Sequence, residues 1–550
     1  MPRVLVIGID GLPPALLRRL MADGRVPTLA SMARRGGLGV LRSTPNFQSA
    51  SAWTSMMTGV NPGVHGILHF TNPVRGSYDV EQIDARARRC RSIWPLLSEA
   101  GASVAALNVP VSYPAEPVNG VMLAGWLCPS PASPGFAHPP ELAAEVARLV
   151  GDYPIHADVR RHAARGDFAQ AARAAARGIG VKGEVACHLI AERRADVAAV
   201  VFTEGDSLQH WCWHILDEAH PRHDPALAER WRDDLLGVYQ VADAQVAALL
   251  DAAGGDADVL IVSDHGQAPN SGAQVLLRPW LVAAGYLVPG RRSLPRRIMD
   301  RVAAEGFELA RRHAPARLKA ALRARSPGLQ TRAQAGVRGV AADWAHTRAW
   351  TETGHVFINE RGRWPEGAVE PGEECEALLA EIEHELQSLR DADAGEPVVE
   401  AVVRGAEVFH GPHADLMPDL LVRWQHERIV RALTWRGRTI VHPSPPELPT
   451  GAHHPDGTLL AAGPSFRARG DCAPRSICDI APTVLHLAGC AVPAYMDGDV
   501  MAEMLTSEAA EDVRRDMVNQ PEDGHGAGAS GDADEIVLGR LRSLGYIDQG

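Results

Sequence analysis

The reading of the fold turns on Val4-Leu-Val-Ile-Gly-Ile-Asp10-Gly11, an apolar run that stops at an aspartate. β-Branched residues without polar alternation read as a strand buried on both faces, the kind found in a helix-covered parallel sheet. Two further runs repeat the pattern: Val197–Thr203 leads to Glu204 and Asp206, and Val259–Ser263 leads to Asp264 and His265. A fourth, Thr458–Ala462, is approached through Gly451-Ala-His453-His454-Pro-Asp-Gly457. Helical stretches separate the strands. The expected class is α/β, an α/β/α sandwich with a mixed, largely parallel sheet and helical cap insertions. Functional groups of open α/β sheets gather at the carboxyl ends of the strands, so four distant segments converge on one expected site.

The 550 residues are 46% hydrophobic and 22% charged, which excludes a fibrous or wholly disordered chain. A net charge of −12 argues against nucleic acid as a partner. No run of ~20 apolar residues provides a membrane-spanning helix. The N-terminus, MPRVLVIGID, enters a strand without a signal-like apolar region, so the expected location is cytoplasmic. The eight cysteines form no CxxC pair and are expected to be free thiols.

The sequence divides into a core over 1–505, a flexible linker over 506–534 and a docking segment over 535–550. Within the core, insertions are expected at about 115–180 and 286–343. The second is basic: Arg291 to Arg325 holds eleven Lys/Arg against three Asp/Glu. It reads as a solvated helix face or as a cap that attracts an anionic substrate or a membrane surface.

Asp206 and His210, four apart at a helix start, share one face and can hold one cation. Asp10, Asp264, His265 and His453 add to a mixed carboxylate–imidazole set suited to borderline divalent metals. Two such metals ~4 Å apart are a standard arrangement for displacement at phosphorus. Ser49 and Ser51 both precede or open a short helical stretch ending at Gly59. A hydroxyl there sits in the positive potential of backbone N–H groups. These residues alone leave open which serine acts.

The motifs together resemble the alkaline phosphatase superfamily, in its type I phosphodiesterase/nucleotide pyrophosphatase branch. The segments that carry the resemblance are IGIDG (7–11), SASAWTSMMTGVNPGVHGI (49–67), TEGDSLQHW (203–211), VSDHG (262–266), AHHPDGTLLAAGP (452–464) and IAPTVLHLAG (480–489). The resemblance implies two divalent metal ions, zinc first, with manganese or iron as alternatives. Asp206, His210 and His453 would hold one; Asp10, Asp264, His265 and the nucleophile would hold the other. It also implies Ser49 as nucleophile, because Ser51-Ala52-Trp53 fills the triplet that follows the nucleophile in the family. At the position of a phosphoryl-contacting asparagine this chain has Phe70, with Asn72 nearby as a substrate-binding candidate. The implied activity is hydrolysis of a small-molecule phosphodiester or pyrophosphate-type bond through a phosphoserine. A phosphomonoesterase or phosphomutase with the same site, or a metal-binding protein that recognises anions without turnover, are the alternatives.

If the basic segment is a cap, replacing several arginines within 291–325 by glutamine should raise KM for an anionic substrate. It should leave kcat on a small ester nearly unchanged, which steady-state kinetics on both substrates will read.

Overall fold

The structure, a computed structural model, describes residues 3–290, 342–442, 448–468, 470–511 and 513–516. Its centre is a ten-stranded sheet. The strands that matter here are β1 (Val4–Ile9), β2 (Gly37–Arg42), β3 (Val104–Leu107), β4 (Gly120–Leu123), β5 (Ala137–His138), β6 (Val197–Phe202), β7 (Asp258–Val262) and β8 (Asp456–Ala462). Their order is β2-β8-β7-β1-β6-β3-β4-β5, with Gly470–Asp471 and Arg475–Ser476 beside β2. The five strands from β7 to β4 are mutually parallel. β8 runs antiparallel to both β2 and β7, so the sheet is mixed and mostly parallel, as expected.

The apolar runs explain the layering. Side chains alternate across a strand. Leu5, Ile7 and Ile9 enter one core with Ala198, Val200 and Phe202. Val4 and Val6 enter the opposite core with Val197, Ala199 and Val201. The first core is covered by Pro14–Ala22, Pro27–Arg35, α2 (Phe168–Arg193), α3 (Glu204–Leu216) and α4 (Pro225–Ala253); the second by α1 (Ser49–Thr58), Ile93–Glu99 and Ile480–Leu487. Each fully buried aliphatic side chain contributes roughly 1.5–3 kcal/mol.

Register then places the chemistry. Ile9 lies opposite Phe202, and Gly8 opposite Val262. The residues that follow, Asp10, Thr203-Glu204 and Ser263-Asp264, therefore leave the sheet at one edge. The antiparallel β8 begins where β7 ends, with Ser263 N donating to Thr458 O at 2.8 Å, so the histidines before it reach the same edge.

Several boundaries differ from the sequence reading. Residues 115–180 supply β4 and β5 to the main sheet and the first half of α2, so much of that expected insertion is core. Residues 349–441 do not join the main core. They form a four-stranded sheet (Ala349–Glu352, His355–Ile358, Leu420–Trp424, Val399–Arg404), a helix Glu373–Ser388 and a three-stranded sheet around a separate apolar cluster, which Leu68 and residues 273–287 complete. The expected linker begins structured: Ser507–Ala510 is helical and Arg515–Asp516 pairs with Val492–Pro493. The basic 291–325 segment and the 535–550 docking segment lie outside the described residues. The eight cysteines are free thiols. Among the described residues no helix is long and apolar enough to cross a membrane.

Gly8 marks the tightest approach in the central strand, since a Cβ there would lie 2.4 Å from Trp53 Cη2. Gly8→Ala should therefore lower stability by about 1–3 kcal/mol through overpacking. The expected readout is a lower denaturant midpoint with unchanged slope.

Candidate active site

Seven of the expected site residues converge at the carboxyl edge of β1, β6 and β7. Asp10, Ser49, Asp206, Asp264 and His265 are fully buried, and His210 and His453 are 7% exposed.

Each side chain is aimed by backbone. His265 Nδ1 donates to Gly266 O at 2.9 Å, which turns its Nε2 toward the carboxylates. That Nε2 is 3.2 Å from Asp264 Oδ2, 3.6 Å from Asp10 Oδ1 and 3.0 Å from Ser49 Oγ. His210 Nδ1 donates to Gly451 O and His453 Nδ1 to Phe47 O, both at 3.0 Å. Their Nε2 atoms consequently face one another at 3.0 Å. Asp206 Oδ1 lies 3.4 Å from the first and 3.7 Å from the second.

The electrostatics of this arrangement call for a cation. Burial, together with the charges of Asp264 and Asp206, holds the Asp10 carboxyl well above its ordinary range. Burial also raises Asp264. His453 is pushed well below the usual imidazole value by burial and by His265 and His210, so it is neutral. Asp10 Oδ1 and Asp264 Oδ2 are buried without a hydrogen-bond partner among the described residues. Orphaned carboxylate oxygens beside convergent imidazole nitrogens are the donor set of a divalent metal. Two groups bring their ligand atoms within 4.8 Å of one another: Asp206, His210 and His453, and Asp10, Asp206 and His265. Asp206 belongs to both groups, which the sequence reading had given to one site only.

Ser49 opens α1, whose hydrogen-bond ladder starts with Ala52 N to Gln48 O. Its hydroxyl thus stands at the N–H end of the helix, against His265. Ser51 does not cap that helix. It lies inside the first turn, and its Oγ donates to Asn46 Oδ1 at 3.1 Å, tying the approach loop to the helix.

Phe70 is fully buried with its ring 5.5 Å from Trp126, part of the apolar core behind the loop. Asn72 is committed to its own turn, accepting from Leu68 N at 2.9 Å and donating to Gly66 O at 2.6 Å.

Other supports were not visible in the residue patterns. Trp53 Nε1 donates to Asp10 Oδ2 at 2.9 Å and so orients a central carboxylate. Lys182 and Glu204 form an ion pair at 2.7 Å, buried beneath the turn that leads to Asp206. Lys182 also donates to Ile155 O at 3.3 Å and Thr203 Oγ1 at 3.4 Å. The available signal was a single lysine within the apolar stretch GIGVKGEVA.

The profile of the type I phosphodiesterase / nucleotide pyrophosphatase family matches residues 4–429. The chain belongs to that family. It is accordingly a hydrolase of phosphate esters. No curated protein matches it significantly. Among solved structures, phosphonoacetate hydrolase from Sinorhizobium meliloti 1021 in complex with phosphonoformate is 14% identical with a TM-score of 0.51, over 89% of this chain and 96% of that one. Murine ectonucleotide pyrophosphatase / phosphodiesterase 5 is 13% identical with a TM-score of 0.48, over 92% of this chain and 100% of that one. At such identities the first shares the family's fold and no more.

The crowded carboxylates make a testable cost. Because the Asp10 carboxyl is raised in the fold, the metal-free protein binds more protons folded than unfolded. Its stability should fall as pH climbs from the unfolded value near 3.8 toward the raised folded value. In chelator at neutral pH, Asp10→Asn should stabilise the protein by about 0.5–2 kcal/mol and flatten that slope. Thermal melts across pH will check both.

Proposed function

We propose that the chain hydrolyses a small-molecule phosphodiester or pyrophosphate-type bond with Ser49 as nucleophile. The observation that carries the reading is the Ser49 hydroxyl, buried at a helix start, 3.0 Å from His265 Nε2 and inside a cluster of carboxylates and imidazoles. Asp206, His210 and His453 would hold one divalent ion and Asp10, Asp264 and His265, with Ser49, the other, Asp206 standing within reach of both, zinc being the first expectation from the mixed oxygen–nitrogen donors. When bound, such ions supply Lewis acidity and neutralise phosphoryl charge.

The chain's own groups do the rest. The start of α1 offers backbone N–H groups to the phosphoryl oxygens, and burial of the serine excludes bulk water from the attacking atom. The Ser49 Oγ–phosphorus bond forms as the bond to the leaving oxygen breaks, and the serine proton finishes on the departing alcohol or phosphate. Water then cleaves the phosphoserine, regenerating the hydroxyl and releasing the remaining phosphate ester. His265, His210 and His453 keep fixed tautomers throughout, because each Nδ1 is engaged by a carbonyl.

Metal analysis should give about two equivalents of zinc per chain, and Asp206→Ala should lose both because Asp206 stands in both groups. Ser49→Ala should abolish turnover of bis-p-nitrophenyl phosphate, with rates down at least ~10³-fold, while keeping the fold and most metal. Ser51→Ala should lose ~1 kcal/mol with its hydrogen bond and keep most activity. Rapid acid quench and peptide mapping should find phosphate on Ser49. Phosphate on Ser51, or a preference for p-nitrophenyl phosphate over the diester, would overturn the assignment or move the enzyme to the monoesterase class.

A further inference from the structure

Two histidines beside this cluster have no role in the chemistry above. His69 is 4% exposed and its Nδ1 has no hydrogen-bond partner among the described residues. His355 is 6% exposed and neither of its ring nitrogens has one. A buried imidazole nitrogen without a partner carries the full desolvation penalty of that group, so each asks for an occupant.

Their placement says where the occupant would sit. His69 follows Leu68, whose carbonyl accepts from Asn46 Nδ2 at 2.6 Å. The next residue of that loop, Phe47, lends its carbonyl to His453. Leu68 in turn packs in the apolar cluster of the second unit with Val356 and Phe357, the residues that follow His355. The pair therefore lies at the seam between the candidate metal ligands and the 349–441 unit. The rings also sense one another: charge on His355 opposes charge on His69. Burial brings His69 down to about 3 and His355 to about 4, so both are neutral near pH 7.

The chemistry of the occupant follows from the unpaired ring nitrogens. A neutral imidazole offers one N–H and one lone pair and no charge. A phosphate or carboxylate wants cations or several donors. A hydroxyl, which donates and accepts at once, complements the ring. Two rings together suit two hydroxyls on one small alcohol.

We propose that His69 and His355 form the subsite for the leaving group and select an alcohol that carries further free hydroxyls, of the polyol or sugar class. The proposal rests on the phosphodiesterase reading for its turnover arm and stands apart from it in its binding arm. A site built to hydrogen-bond a hydroxyl rejects the analogue that lacks it, because its own buried groups are then left unpaired.

The test pairs methyl glyceryl phosphate with methyl propyl phosphate, whose leaving groups differ by two hydroxyls. With the zinc-loaded full chain, ³¹P NMR should show kcat/KM at least ~10-fold higher for the glyceryl ester. His355→Phe and His69→Phe should bring the ratio toward one, and His355→Asn, which keeps a donor and an acceptor, should restore part of it. Thermal melts establish that each variant is folded. Independently of turnover, calorimetry on Ser49→Ala protein should show glycerol phosphate binding at least ~10-fold tighter than propyl phosphate, a preference lost on adding His355→Phe. Equal affinities and equal rates for the two compounds would overturn the proposal and leave the rings holding ordered water. A binding preference without hydrolysis of either diester would leave the subsite standing and sink the phosphodiesterase reading instead.

Discussion

Three carboxylates share one buried edge of the sheet, and the rest of the site depends on how they are kept there. Asp10, Asp206 and Asp264 have no exposed surface, and Asp10 is driven toward protonation by burial and by the other two. An arrangement so unfavourable persists only where a cohesive scaffold imposes it. The scaffold is the parallel register of β7, β1 and β6. Each strand is held on both faces by apolar neighbours, so none can slide to relieve the repulsion. The same rigidity fixes the distances at which a cation would be gripped.

Backbone carbonyls are the second layer of control. Gly266, Gly451 and Phe47 each receive an Nδ1–H, turning three imidazoles so that their Nε2 atoms face inward. Two of these carbonyls flank the 266–269 and 451–454 strands, which pair with one another and place Gln267 opposite His453. The small two-stranded ribbon thus sets the spacing between the two candidate metal groups, with the His265 and His453 rings stacked at 3.6 Å.

Much of this was legible in the residues. Unbroken apolar runs that end at or lead to Asp10, Asp206 and Asp264 announced a parallel sheet and its working edge, because strand burial and register leave direct traces in residue type. The coalescence of four distant segments followed from that alone. The residue patterns were silent where tertiary contacts decide. Trp53 looks like any core indole until Asp10 is found beside it. Residues 349–441 show the same strand-and-helix signals as the core, and nothing local says that their apolar faces meet one another instead. Ser51 has the composition of a cap, yet the helix starts two residues earlier and the hydroxyl turns to Asn46. The double membership of Asp206 is a matter of geometry that spacing along the chain does not encode.

The position of β8 has a consequence for how the molecule comes into being. This strand, Asp456–Ala462, lies between β2 and β7, inside the sheet, although it is among the last segments of the core in the chain. On the ribosome, β2 therefore has no partner on that side until more than four hundred residues have followed it. A nascent chain can close the β7-β1-β6-β3-β4 block early, but its edge at β7 stays open. Insertion of β8 seals that edge, joins β2 to the block and delivers His453 in the same event. Completion of the sheet and assembly of the site are thus one late, long-range step, of the kind that makes folding slow. A chain interrupted before that step would carry an unpaired strand edge, the feature most prone to pairing with another molecule.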